Sequence, residues 1–151
     1  MTHKSYPLPD SFTDTLNSIE SNLEDRKQYI YYSSYSGNCH GPSYSGKAMI
    51  RWIENGKSYC RQIYKDQEDK EVTDIIEECD FNDLLQEFRT ERLDTVKTFP
   101  KGNTFLDPAI IDRVIIKDYE LKYERTFEQI PFATTRDTNH ILYSYLKKIM
   151  K

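Results

Sequence analysis

Residues 41–48, GPSYSGKA, match the phosphate-binding pattern G-x-x-x-x-G-K-[ST] at every position but the last. Such a loop turns backbone N–H groups and a helix N-terminus onto phosphates, with Lys on the terminal phosphate and a Ser/Thr hydroxyl on magnesium. Ala48 cannot bind magnesium, and Pro42 removes one cradling N–H group. Between Ala48 and Asn55-Gly56 the pattern is that of a strand, with no room for the helix that must follow. The stretch reads as a Gly/Ser loop joining two strands, not as a nucleotide site.

A second candidate is the thiol–imidazole pair Cys39-His40, inside the Gly37–Gly46 loop. A catalytic thiol needs a base held by the fold and a third group to orient that base. His140, with Asp137 behind it, is the distant base that would complete such a set. This is the alternative reading: a small enzyme or ligand-binding protein that uses Cys39, His40 and His140. The same three residues have neither helical nor knuckle spacing, so no metal site and no cofactor is expected. Cys39, Cys60 and Cys79 are odd in number and form no C-x-x-C pair, which predicts reduced, unbridged thiols.

Binding chemistry is better represented than catalytic chemistry. Between Asp66 and Asp94 there are 12 acidic and 3 basic residues, whereas the chain as a whole has a net charge of −4. An acidic surface of that kind attracts a basic partner and speeds its association. Asp74, Glu77, Glu78, Asp83 and Glu87 are the candidate steering residues. The stretch YIYYSSYSGNCHGPSY, residues 29–44, adds tyrosines among Ser, Gly and Asn, a composition that binding loops favour. Tyr35 and Tyr44 are its candidate anchors. Lys47, Arg51, Arg61 and Lys65 lie nearby, but the positive charge is modest and mixed, so nucleic acid is not the expected partner.

The elements that must position these residues follow from periodicity. Residues 1–9, with Pro7 and Pro9, read as an extended N-terminal arm. Asp10 or Ser11 opens a helix whose stripe is Phe12, Leu16, Ile19 and Leu23. Residues 28–36 read as a strand. Asn55-Gly56 then suits a two-residue hairpin turn that sets Trp52 opposite Tyr59, Ile50 opposite Arg61 and Ala48 opposite Ile63. That face is the expected core face, with Arg61 an unexplained charge upon it.

In the acidic segment, Val72, Ile75, Ile76 and Cys79 make one helical stripe and Phe81, Leu84, Leu85 and Phe88 another, out of phase, which predicts two short helices. Asp107-Pro108 suits a helix start. Residues 114–127 fit strand or helix, with β-branched Val114, Ile115 and Ile116 favouring strand. A last helix is predicted from about Thr138, its inward residues Leu142, Tyr145, Leu146 and Ile149.

Together these readings predict one α+β domain over residues 10–151. A small antiparallel sheet is built around the Asn-Gly hairpin, with helices packed on one side. MTHKSYPLPD lacks a signal-peptide run and no stretch reaches membrane-spanning length, so the expectation is a soluble, cytoplasmic protein. A small acidic α+β chain without a catalytic signature has the general profile of immunity proteins that neutralise nuclease toxins. No motif carries that likeness, which is one of type alone. The functional expectation is a non-catalytic module that occludes a basic protein partner.

Overall fold

The computed structural model describes residues 2–7, 12–36, 45–66, 68–96, 110–127 and 141–151. In chain order the elements are β1 (Thr2–Pro7), α1 (Phe12–Leu23), β2 (Gln28–Ser36), β3 (Gly46–Glu54), β4 (Lys57–Lys65), β5 (Glu71–Glu78), α2 (Asn82–Thr90), a 3-10 turn (Leu93–Thr95), β6 (Ile110–Asp118), β7 (Leu121–Phe127) and α3 (Ile141–Ile149). All seven strands join one antiparallel sheet in the order β1-β5-β4-β3-β2-β6-β7. The class is mixed α+β, and the sheet dominates it. The segment read as an extended arm supplies β1, an edge strand laid against β5.

Alternation along β2 sets the plan of the molecule. Its successive side chains point to opposite faces, and both faces are buried. Tyr29 and Tyr31 go to one side with Ala48, Ile50, Ile63 and Ile115, under the α1 stripe Phe12, Leu16, Ile19 and Leu23. Ile30 and Tyr32 go to the other with Met49, Val114, Ile116 and Tyr123, under Leu85 and Phe88 of α2 and Leu142, Tyr145, Leu146 and Ile149 of α3. The helices therefore flank the sheet, which corrects the expectation of helices on one side. A strand apolar in both registers, such as YIYY, must be covered twice.

Close approach of α1 depends on Gly46. A Cβ built there would lie 2.6 Å from the Phe12 ring, so the first residue of β3 has no room for a side chain. Between β3 and β4, Asn55 and Gly56 both have positive φ, 52° and 79°. The strands meet with Trp52 opposite Tyr59, Ile50 opposite Arg61 and Ala48 opposite Ile63. Residues 114–127 belong to two strands, β6 and β7, turned about Tyr119 at φ 56°.

Residues 71–78 form β5, not the predicted helix. The four β-branched residues in EVTDIIEE suit a strand, and β1 and β4 supply ladder partners on both sides. Only the second predicted helix of the acidic segment exists, as α2. This pairing brings Cys60 on β4 next to Cys79, just past β5, at a Cα separation of 5.7 Å, and the two form a disulfide. The expectation of unbridged thiols is corrected here: adjacency in the sheet, invisible as a spacing motif, makes the pair. No helix among the described residues is long and apolar enough to cross a membrane.

Candidate functional site: the turn end of the sheet

β3 leads from Gly46 to the Asn55-Gly56 turn, so Trp52 and Tyr59 stand near the turn end of the sheet, on the face that α1 covers. Cross-strand partners share a face, and the register aligns Glu78, Tyr59, Trp52 and Tyr29 in one row across β5, β4, β3 and β2. The Trp52 and Tyr59 rings stack with centroids 5.5 Å apart and planes inclined by 25°. Both are half-buried. Arg26, just past the end of α1, lies over the Trp52 ring at 5.5 Å from its centroid and pairs with Glu54 at 3.1 Å. The Trp52 indole N–H also points to Glu54, at a long 3.4 Å.

Beside this pair α1 and the sheet diverge, leaving a cavity of about 300 Å³. On the α1 side it is lined by Ile19, Asn22 and Leu23 of the helix, at i, i+3 and i+4, and by Arg26 just beyond it. Ile50, Trp52 and Arg61 face them from the sheet. Arg61 is fixed by Asp74, which accepts from Nε at 3.0 Å and from Nη2 at 2.8 Å. Asp74 is 5% exposed. The charge expected as a blemish on the core face thus has its partner one strand away.

This arrangement sorts the residues singled out in the sequence. Asp74 is removed from any steering role, because it is buried and committed to Arg61. Glu77 and Glu78 are exposed at the end of β5, and Asp83 is exposed in the first turn of α2. Glu87 is half-buried and accepts from Lys148 of α3 at 2.8 Å. Asp83, Glu87, Glu91 and Lys148 border a shallow cavity between α2 and α3. Tyr35 is half-buried against the α1-side core at the opposite end of the sheet from Glu77 and Glu78. Those acids and Tyr35 do not form one surface. Tyr44, Cys39, His40 and His140 lie outside the described residues.

At the start of β3, Ser34, Ser45, Lys47, Tyr64, Lys65 and Asp66 border a cavity of about 320 Å³. Gly46 and Lys47 belong to β3, so a strand follows the glycine-rich stretch, not a helix. The Lys65 ammonium, on a residue only 1% exposed, donates to the Asp66 carbonyl at 2.9 Å. Arg51 serves the fold: its Nη1 donates to the Ile149 carbonyl at 2.7 Å, at the negative end of the α3 dipole, and burial lowers its pKa. Among the described residues no three His, Cys, Asp or Glu side chains converge as metal ligands would.

The residues that the sequence reading overlooked as a site are Arg26, Trp52 and Tyr59. One signal was available: Trp52 is the sole tryptophan, two residues from Glu54 and next to a turn. Compared with known proteins, the chain matches no family model and no curated protein sequence.

Proposed function

We propose that the protein is a non-catalytic binding module whose turn end receives a basic protein partner. One observation carries the reading. Glu54, Glu77, Glu78, Asp80 and Asp83, all exposed, stand at or just past the ends of β3 and β5 and in the first turn of α2; Glu54 and Glu78 share the α1-side face with the stacked Trp52 and Tyr59, and Glu77 faces the other side. Lys57, also exposed, lies 3.9 Å from Glu78, and Arg26 pairs with Glu54. Exposed acids raise the rate of encounter with a basic surface, and half-buried Trp and Tyr are the residue types that anchor interfaces. The Asn55-Gly56 hairpin is the tip of that surface. In its specific form this is an immunity-type inhibitor that occludes a basic toxin or nuclease, with the cytoplasm as its compartment. Alkylation trapping of Cys60 and Cys79 in cells tests the compartment, since a reducing one keeps that pair open.

The functional test is a pull-down from host lysate at low and moderate salt, comparing wild type with a Glu77→Lys/Glu78→Lys variant of confirmed fold. A stoichiometric basic protein, lost from the variant and slower to associate as salt rises, is the expected result. Capture that is insensitive to both the substitutions and the salt overturns the reading.

A further inference from the structure

The cavity beside Trp52 differs in what faces it from the two others described above. At its base lie Ile19, Leu23 and Ile50, each at most 6% exposed, and Asn22, Arg26 and Arg61 make the larger, polar part of the accessible lining. No carboxylate lines it among the described residues; the acids that balance its cations stand behind them, Asp74 on Arg61 and Glu54 on Arg26. The α2–α3 cavity, by contrast, is bordered by acids, and the cavity at the start of β3 mixes Lys47 and Lys65 with Asp66.

Arg26 and Glu54 are both partly exposed, and ion pairs of that kind are weak and readily exchanged. A carboxylate arriving from solvent replaces Glu54 on Arg26 without burying a new net charge. A guanidinium lying over an indole offers its N–H edge for two parallel bonds to such a group. The half-buried Trp52 ring, with the edges of Ile19, Leu23 and Ile50, offers contact to a compact apolar body behind the carboxylate. A volume of about 300 Å³ stands at the small end of ligand sites, which limits that body to one ring or a branched chain.

We propose that this cleft binds a small monocarboxylate with a compact apolar body, its carboxylate on Arg26 and its body between Trp52 and the Ile19–Leu23–Ile50 floor. The proposal goes beyond the partner reading and does not depend on it. Glu77 and Glu78 do not line the cleft, so failure of the pull-down leaves this site standing, and failure here leaves the partner reading standing.

Because Trp52 is the sole tryptophan, its fluorescence reports on the cleft directly. The probes are phenylacetate, phenylacetamide, phenethylamine, acetate and phenyl phosphate, each titrated by fluorescence and by calorimetry. Phenylacetate is expected to saturate the site, with the amide and the amine at least about tenfold weaker, because the cation loses its charged partner. Acetate, lacking the apolar body, binds more weakly than phenylacetate. Arg26→Gln is expected to weaken phenylacetate about tenfold. Glu54→Gln, which removes the internal competitor, tightens it about threefold. Far-UV circular dichroism confirms the fold of each variant. No saturable phenylacetate binding by either method overturns the proposal. So does phenethylamine or phenyl phosphate binding as tightly as phenylacetate, an undiminished affinity in Arg26→Gln, or no gain in Glu54→Gln.

Discussion

The two faces of the sheet are built from the same strands but completed differently. One is closed by α2, the Leu93–Thr95 turn and α3, whose side chains make a continuous apolar layer with the strands. The other, among the described residues, has α1 alone. A helix is about 10–12 Å across and strands lie about 4.8 Å apart, so one helix covers two or three strands of seven. To either side of α1 the face is finished by ion pairs: Arg61 with Asp74 toward β5, and Arg113 with Glu20 and Glu124 toward β7. The cleft beside Trp52 opens at that boundary, where apolar cover stops and paired charge begins. A face closed by two helices gives stability; a face whose helix runs out leaves a cleft.

The largest expected effect lies on the closed face. Phe88 is fully buried between the sheet and Tyr145, and Phe88→Ala should cost about 3–5 kcal/mol in urea unfolding. A loss below about 1 kcal/mol would mean that this face is not the tight layer described. The Cys60–Cys79 disulfide comes next. It spans 19 residues, for which the chain-entropy account gives about 3 kcal/mol. Reduction should lower Tm and raise the titratable thiols from one to three in unfolded protein. A Cys60→Ala/Cys79→Ala variant as stable as the oxidised wild type would remove the disulfide from the account.

On the α1 face the decisive comparison is between single and double substitution. Arg61→Met leaves the Asp74 carboxylate buried without its partner, and should cost about 2–3 kcal/mol, less than a fully buried pair because Arg61 is 30% exposed. Arg61→Met/Asp74→Leu removes both charges and should recover most of that loss. If the double variant is no better than the single, the two residues are not coupled. Gly46→Ala should follow, at about 1–3 kcal/mol, by pushing Phe12 and the start of α1 off the sheet.

That coupling also explains what could and could not be read from the sequence. The α1 stripe of Phe12, Leu16, Ile19 and Leu23 is legible because each member is apolar and the period is unbroken. The register of β4 on β3 is legible because every pair follows from where the chain turns. β5 does not read as a strand because its inward positions run Val72, Asp74, Ile76, and a carboxylate in the middle hides the period of two. Arg61 looked out of place on β4 for the same reason. Each residue violates the pattern of its own strand, and the two violations cancel only when the strands are adjacent. Strand adjacency is a tertiary fact, as are the disulfide and the offset of α1 that opens the cleft.

The tyrosines compare the two faces through pH. Tyr32 and Tyr145 on the closed face, and Tyr31 under α1, have pKa values pushed well above the ordinary 10.0 by burial; Tyr29 and Tyr123 are raised by the same cause. A raised folded pKa means that the native state keeps a proton the unfolded chain loses. The contribution is therefore intact below pH 10 and declines as pH climbs from 10 toward the folded values. At pH 11 Tyr31, Tyr32 and Tyr145 each cost about 1.4 kcal/mol, about 4 kcal/mol together, a large part of the roughly 5–15 kcal/mol that holds a domain folded. Phenolate absorbance from these residues should appear together with loss of the far-UV signal; ionisation well before unfolding would show that the rings are not buried. Single substitutions then separate the faces. Tyr145 donates to the Leu84 carbonyl at 2.9 Å, so Tyr145→Phe should lose about 1 kcal/mol at neutral pH. The Tyr31 hydroxyl lies near Ser33 and Glu20 but meets neither in hydrogen-bond geometry. Tyr31→Phe should therefore be neutral or stabilising by about 0.5–1 kcal/mol at pH 7. Both variants should resist alkali better than wild type relative to their own neutral-pH stability, because each removes a proton the unfolded chain would otherwise release. A Tyr31→Phe variant less stable at pH 7 would show that its hydroxyl has a partner, and that the α1 face is as fully satisfied as the closed one.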